Sequence, residues 1–141
     1  MTRDEILAFL SKQRESWRRR DPEALALDHA EHGTVDSPIF ATVRGRDAIR
    51  RSYESLFKSF PDWTFSDRDP FIDGDRVAVP FTAQATHAGR FMGLEGTGRR
   101  FEIHGVLLME LRDGLIADER RVYDFTGLLI QCGVLRGKPG V

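Results

Sequence analysis

The stretch "FEIHGVLLMELRDGLIADERRVY", Phe101 to Tyr123, decides how the second half of this chain folds. Two runs of alternating apolar character flank Arg112-Asp113-Gly114, the mark of a β-hairpin. That hairpin can close in two ways. A two-residue loop pairs Arg112 with Leu115, sets His104 opposite Tyr123 and turns Asp124 to the other face. A three-residue loop with Gly114 left-handed pairs Leu111 with Leu115, so that His104 faces Val122 and Glu102 faces Asp124. A slip of one residue moves every side chain across the sheet. The three-residue loop is expected, because it matches two leucines on one face and uses glycine where positive φ is needed. One face then carries Phe101, Ile103, Leu107, Met109 and Leu111. The other mixes Val106, Leu108 and Val122 with Glu102, His104, Asp118, Arg120 and Asp124. His104 and Asp124 become diagonal neighbours at roughly 7–8 Å. An apolar-walled face with a few convergent ionisable groups is the expected place for a small-molecule pocket.

Working outward, Val77 to His87 alternates in the same way and reads as a strand, with Pro80 pointing to an edge or a bulge. Asp73-Gly74-Asp75 turns it back onto an earlier strand around Trp63 to Ile72. The first half changes period. Thr2 to Glu5 has capping-box form and leads a helix through Ile6, Leu7, Phe9, Leu10 and Trp17. Asp21-Pro22 starts a short second helix to Leu27, and a third runs from Asp47 to Phe60, before Pro61. His29 and His32 are expected to flank a helix end, where the helix dipole accounts for them. Helices first and an antiparallel meander afterwards predict an α+β domain spanning 1–141, with the sheet curled over the helices.

Composition narrows the function. The chain has 141 residues, 40% hydrophobic and 30% charged, with a net charge of −1, as for an ordinary globular domain. The basic runs Arg18 to Arg20 and Arg99-Arg100 are short and read as solvated faces, so no nucleic-acid partner is expected. No apolar run approaches the ~20 residues of a membrane span, and the charged N-terminus is unlike a signal peptide. A cytoplasmic location without membrane contact is expected. The one cysteine, Cys132, offers neither a disulfide nor metal-ligand spacing and reads as a small core residue. The glycine-rich run Gly89 to Gly98 lacks the ending of a phosphate loop and reads as a mobile loop over the pocket. No metal or cofactor is expected.

On "GLEGTGR" (Gly93 to Arg99), "FEIHGVLLMELRDGLI" (Phe101 to Ile116) and "ERRVYDFTGLLIQCGVL" (Glu119 to Leu135), the chain resembles the SnoaL-like polyketide cyclases of the NTF2-like superfamily. It departs from their pattern at Cys132 and at Arg120-Arg121. The resemblance implies a cone-shaped α+β barrel enclosing a deep apolar pocket, and homodimers, or dimers of dimers, packed through the sheet. It implies a cofactor-free intramolecular aldol condensation on an aromatic polyketide, with the aspartate and histidine roles carried over to Asp124 and His104. Asp124 would remove a proton alpha to a carbonyl, and His104 would donate to the oxyanion. Tyr53, Trp63, Phe40 and Phe91 are candidates to wall a pocket for a flat apolar or aromatic ligand, with Glu102 and Arg120 beside them. Asp124 also has plainer readings, as a cap on a helix from Thr126 to Gln131 or as a partner for Arg120. Double-bond isomerisation, epoxide hydrolysis with Asp118, Arg120 and Asp124 holding a water, and non-catalytic binding stay open as alternatives.

Overall fold

The computed structural model describes residues 1–136. Helix α1 (Arg3–Arg19) starts from the predicted capping box. The Glu5 amide donates to Thr2 Oγ1 at 3.1 Å, and the Thr2 amide donates to Glu5 Oε2 at 2.7 Å. It buries Ile6, Leu10, Gln13 and Trp17, one stripe at helical spacing. Helix α2 (Pro22–Leu27) is capped by Asp21, which accepts from the Ala24 amide at 3.1 Å. Helix α3 (Arg46–Ser59) presents Ile49, Tyr53 and Leu56 to the interior. No helix among the described residues is long and apolar enough to cross a membrane.

The sheet has seven strands: β1 (His29–Ser37), β2 (Ala41–Arg44), β3 (Thr64–Asp67), β4 (Phe71–Asp73), β5 (Arg76–Thr86), β6 (Arg100–Arg112) and β7 (Leu115–Tyr123). Their order is β2-β1-β7-β6-β5-β3, with β4 also on β5. Every pairing is antiparallel except β1 with β7. A final helix, α4 (Phe125–Gln131), follows β7. The mixed α+β class stands, with a curved open sheet wrapped over the helices. Three details differ from the sequence reading. The hairpin β1–β2 was not foreseen, and His29, which directly follows the Asp28 C-cap of α2 as expected, also opens β1; "HAEHGTVDS" carries little strand propensity, and its partner β7 lies more than 80 residues away. The expected strand from Trp63 to Ile72 breaks into β3 and β4 around Pro70. Pro80 sits opposite that break, where its carbonyl accepts from the Arg68 amide and its missing N–H deprives no strand partner.

The decisive hairpin also closes differently. Asp113 (φ 54°) and Gly114 (φ 78°) are both left-handed, a two-residue turn pairing Arg112 with Leu115. The register then shifts: Leu111 pairs Ile116 but Glu110 pairs Asp118, leaving Ala117 as the extra residue of a bulge. Beyond it Leu107 faces Arg121 and Gly105 faces Tyr123. The three-residue loop is therefore overturned. The bulge restores the same parity by another route, so the expected two sets of residues do share faces as grouped. The concave face is the one with Phe101, Ile103, Leu107, Met109 and Leu111, all buried against the helices, and it continues across β7 through Glu119 and Arg121.

Candidate active site

Between α1, α3 and the concave face lies an aromatic cavity. Trp17 stacks on Phe65 at 4.9 Å and lies 6.3 Å from Trp63, while Phe65 stacks on Phe81 at 5.2 Å. Leu56, Ile103 and Leu107 complete the walls, and the tip of the β1–β2 hairpin, Ser37, Ile39 and Phe40, closes one side. Its free volume is about 20 Å³, room for a single water. Two titratable side chains reach it, Arg121 and Tyr123. Gly105 leaves the space that the Phe81 ring occupies, since a Cβ there would stand 2.8 Å from the ring and 2.4 Å from the Val122 carbonyl.

Arg121 is the charged residue in this wall, and it is firmly held. Its Nε donates to Glu119 Oε2 at 2.6 Å, and one terminal nitrogen donates to the Tyr53 hydroxyl at 2.8 Å. The guanidinium carbon lies 5.1 Å from the Tyr53 ring centroid and 5.8 Å from that of Trp17, within cation–π range. Burial works against its charge, but Tyr53 and the Glu119 carboxylate outweigh that and raise its pKa further above the ordinary range. Burial likewise pushes the Tyr123 hydroxyl up to about 12, against the pull of Arg121. Tyr53 is also raised by burial, so both phenols are neutral donors at physiological pH.

Behind Arg121 the polar cluster continues. Having accepted from Arg121, the Tyr53 hydroxyl can donate to His29 Nε2, 3.1 Å away. Burial lowers the His29 pKa to about 4, which leaves the ring neutral with its proton on Nδ1. That assignment rests on the hydrogen-bond network. Arg46 grips the His29 carbonyl with two N–H groups at 2.7 and 3.0 Å. Asp28, fully buried, accepts from Lys12 Nζ at 3.3 Å, and burial raises its pKa. Glu119 Oε1, His29 Nδ1 and Asp28 Oδ2 have no partner among the described residues.

The sequence model of the SnoaL-like polyketide cyclases matches residues 9–132. The chain belongs to that family. It is 32% identical over 113 residues to nogalonic acid methyl ester cyclase of Streptomyces nogalater, covering 79% of this chain and 78% of that protein. Among solved structures it is similar to AclR of Streptomyces galilaeus, provisionally a hydroxylase, with a TM-score of 0.83, 28% identity, and 98% and 87% of the two chains covered. It is also similar to IdmH of Streptomyces antibioticus, provisionally a polyketide cyclase, with a TM-score of 0.74, 27% identity, and 89% and 96% covered.

In this SnoaL-like chain the residues singled out in the sequence divide sharply. Trp63 and Phe40 line the cavity, and Tyr53 holds Arg121 at its edge. His104 and Asp124 do not reach it. His104 lies on the convex face, two-thirds exposed, with Nδ1 3.0 Å from Thr82 Oγ1 and Nε2 3.8 Å from Glu102. Asp124 is exposed and caps α4, accepting from the Gly127 amide at 2.8 Å. The plainer cap reading describes its geometry, though α4 begins at Phe125. Glu102 accepts from Gln84 on the same exposed face, and Arg120 lies 3.8 Å from Asp36 there. Asp118 accepts from Thr34 and lines one groove with Arg120, a groove that Asp124 does not line. Phe91 is buried against Phe60, 5.0 Å away and outside the cavity wall. The Gly89 to Gly98 loop packs beside His87 at the end of β5, away from the cavity; His87 is fully buried with Nδ1 3.1 Å from Thr97 Oγ1.

The sequence reading seeks the pocket on the mixed face, where ionisable groups are plentiful, and a groove of about 510 Å³ lined by Leu108, Glu110, Asp118 and Arg120 does lie there. The curved sheet encloses its other, apolar face. The informative signal was the exception on that face: Glu119 and Arg121 have the parity of Leu107, Met109 and Leu111. A charge surviving among core positions carries a reason to be there.

Proposed function

We propose that the protein is a cofactor-independent SnoaL-like enzyme acting on a flat, polyketide-like carbonyl compound in the concave aromatic cavity, with Arg121 binding the oxygen that gains negative charge. The carrying observation is Arg121 itself, a fixed guanidinium set into an aromatic wall. In an aldol ring closure a C–H alpha to one carbonyl loses its proton, the resulting enolate carbon bonds to a second carbonyl carbon, and the new alkoxide takes up a proton. Enolate and alkoxide both place charge on oxygen, and preorganised donors in a water-poor site stabilise such charge most. A ligand of that size requires the resting walls to part, and Ile39 and Phe40, in the turn between β1 and β2, form the wall that no helix or strand holds.

Both tryptophans of the chain, Trp17 and Trp63, line the cavity, so their fluorescence reads its occupancy directly. Titration with a tricyclic hydroxyanthraquinone should quench them saturably, and Phe40→Ala, which thins the wall, should strengthen or speed that quenching. Saturable binding that leaves tryptophan emission untouched places the ligand elsewhere and ends this reading. The carboxylate of Glu119 is already engaged by Arg121, which favours non-catalytic ligand binding as the second reading. Product formation from a β-dicarbonyl substrate separates the two. On the convex face Phe71, Leu108 and Val122 are 71%, 41% and 50% exposed. A second copy of the chain is the proposed cover, and a monomeric sedimentation value would exclude it.

A further inference from the structure

Resting on the cavity as the ligand site, we infer that Arg121 makes it selective for the ionised form of its ligand, an enolate or phenolate, so that the ligand's own acidity governs binding. The argument begins with what the walls lack. Among the described residues that line the cavity, the titratable ones are Arg121 and Tyr123, a guanidinium and a neutral phenol. Both donate hydrogen bonds, and neither accepts a proton at neutral pH. The two candidate bases named from the sequence, Asp124 and His104, lie outside on the convex face. Glu119 and His29, the nearest groups that could accept a proton, stand outside the lining and are already bonded to Arg121 and Tyr53 respectively.

Orientation supplies the selectivity. Glu119 and Arg121 form a buried ion pair whose positive member faces the cavity and whose negative member lies behind it. A guanidinium has five N–H donors. Glu119 and Tyr53 take two of Arg121's, which leaves three without a protein partner among the described residues. Its plane is fixed from three sides, by the Glu119 carboxylate, the Tyr53 hydroxyl and the Trp17 ring. The remaining donors are thus presented to the cavity at little further cost in side-chain entropy. A neutral carbonyl oxygen can accept from such donors, but an anionic oxygen gains more, because the surrounding wall is aromatic and excludes water. The charged and titratable groups around Arg121 are Glu119 and Tyr123 on β7, Tyr53 and Arg46 on α3, His29 on β1, Asp28 after α2 and Lys12 on α1. With His29 neutral down to about pH 4 and both phenols neutral, the ligand is the expected source of pH dependence near neutrality, and the buried Asp28, whose carboxyl is raised by burial, is the protein group the variant below controls for.

The test uses two probes of one shape: a hydroxyanthraquinone whose phenol ionises near neutral pH, and its O-methyl ether. Quenching of Trp17 and Trp63 is followed from pH 5.5 to 8.5. The phenol's affinity should rise about tenfold per pH unit until its own pKa and then level off, while the ether should bind weakly at every pH. Arg121→Leu alone leaves Glu119 buried without its partner and can fail to fold, so the paired variant Arg121→Leu/Glu119→Leu is the informative one. It should bind the neutral phenol and the ether alike, with the phenol's affinity now falling above its own pKa because the apolar wall disfavours the phenolate. Equal binding of the two probes to the natural protein, or an affinity for the phenol that still rises with pH in the paired variant, overturns the inference and leaves the cavity as a ligand site. If neither probe quenches either protein, the ligand reading of the cavity falls, and this inference falls with it.

Discussion

The two faces of the sheet present opposite ways of carrying charge. The convex face has many ionisable groups, among them Glu102, His104, Glu110, Asp118, Arg120 and Asp124, and all of them are exposed. Each has solvent to screen it, so its pairings contribute little. The concave face continues across β7 through just two charged side chains, Glu119 and Arg121, at 1% and 9% exposure. There each charge depends on its partner, because water cannot replace it. The count of ionisable groups therefore points to the convex face. Burial and the fixity of partners point to the cavity.

The largest effect expected from breaking this contrast is at Arg121. Arg121→Leu strands a buried carboxylate and should cost about 3–5 kcal/mol in urea denaturation, whereas adding Glu119→Leu should restore most of the loss. A paired variant no more stable than the single one would mean that the ion pair is not the source of the cost. Next comes pH. The folded pKa of His29 is about 4 against an ordinary 6.5. Between those values the unfolded chain holds a proton that the native chain does not, so acid favours unfolding. The stability is complete above pH 6.5 and falls as pH drops toward 4, by up to about 3 kcal/mol. Burial raises the Asp28 pKa and so contributes the opposite slope at the acid end. His29→Gln should flatten the fall between pH 6.5 and 4, and an unchanged slope in that variant would assign it to another group.

Smaller effects are expected outside. Asp124→Ala removes the α4 cap and should cost about 1 kcal/mol, with ligand quenching of the tryptophans unchanged. His104→Ala should alter stability by less than about 0.5 kcal/mol. Loss of ligand binding in either variant would show that the convex face communicates with the cavity and would blur the distinction between the faces.

Much of the fold was legible locally. The capping box at Thr2, the Asp21-Pro22 start, the apolar stripes of α1 and α3, and the alternation of β5 and β6 are short-range patterns, set by backbone geometry within a few residues. Residues with one strong role, such as Trp63 and Phe40 as cavity walls, were found from the same signals. His29 was not, because β1 has no alternating apolar pattern and gains its place by pairing with the distant β7.

By itself, the sequence determined helices α1 to α3 and the strands β5, β6 and β7, each alternating between two faces. Tertiary structure decided which of those faces closes into a cavity. The curvature of a seven-stranded sheet over α1 and α3 buries one face and turns the other to solvent. That choice depends on the packing of the whole sheet, which no local period encodes. It also depends on Ala117, whose bulge keeps Glu119 and Arg121 inward beyond a two-residue turn that would otherwise have sent Asp118 and Arg120 there.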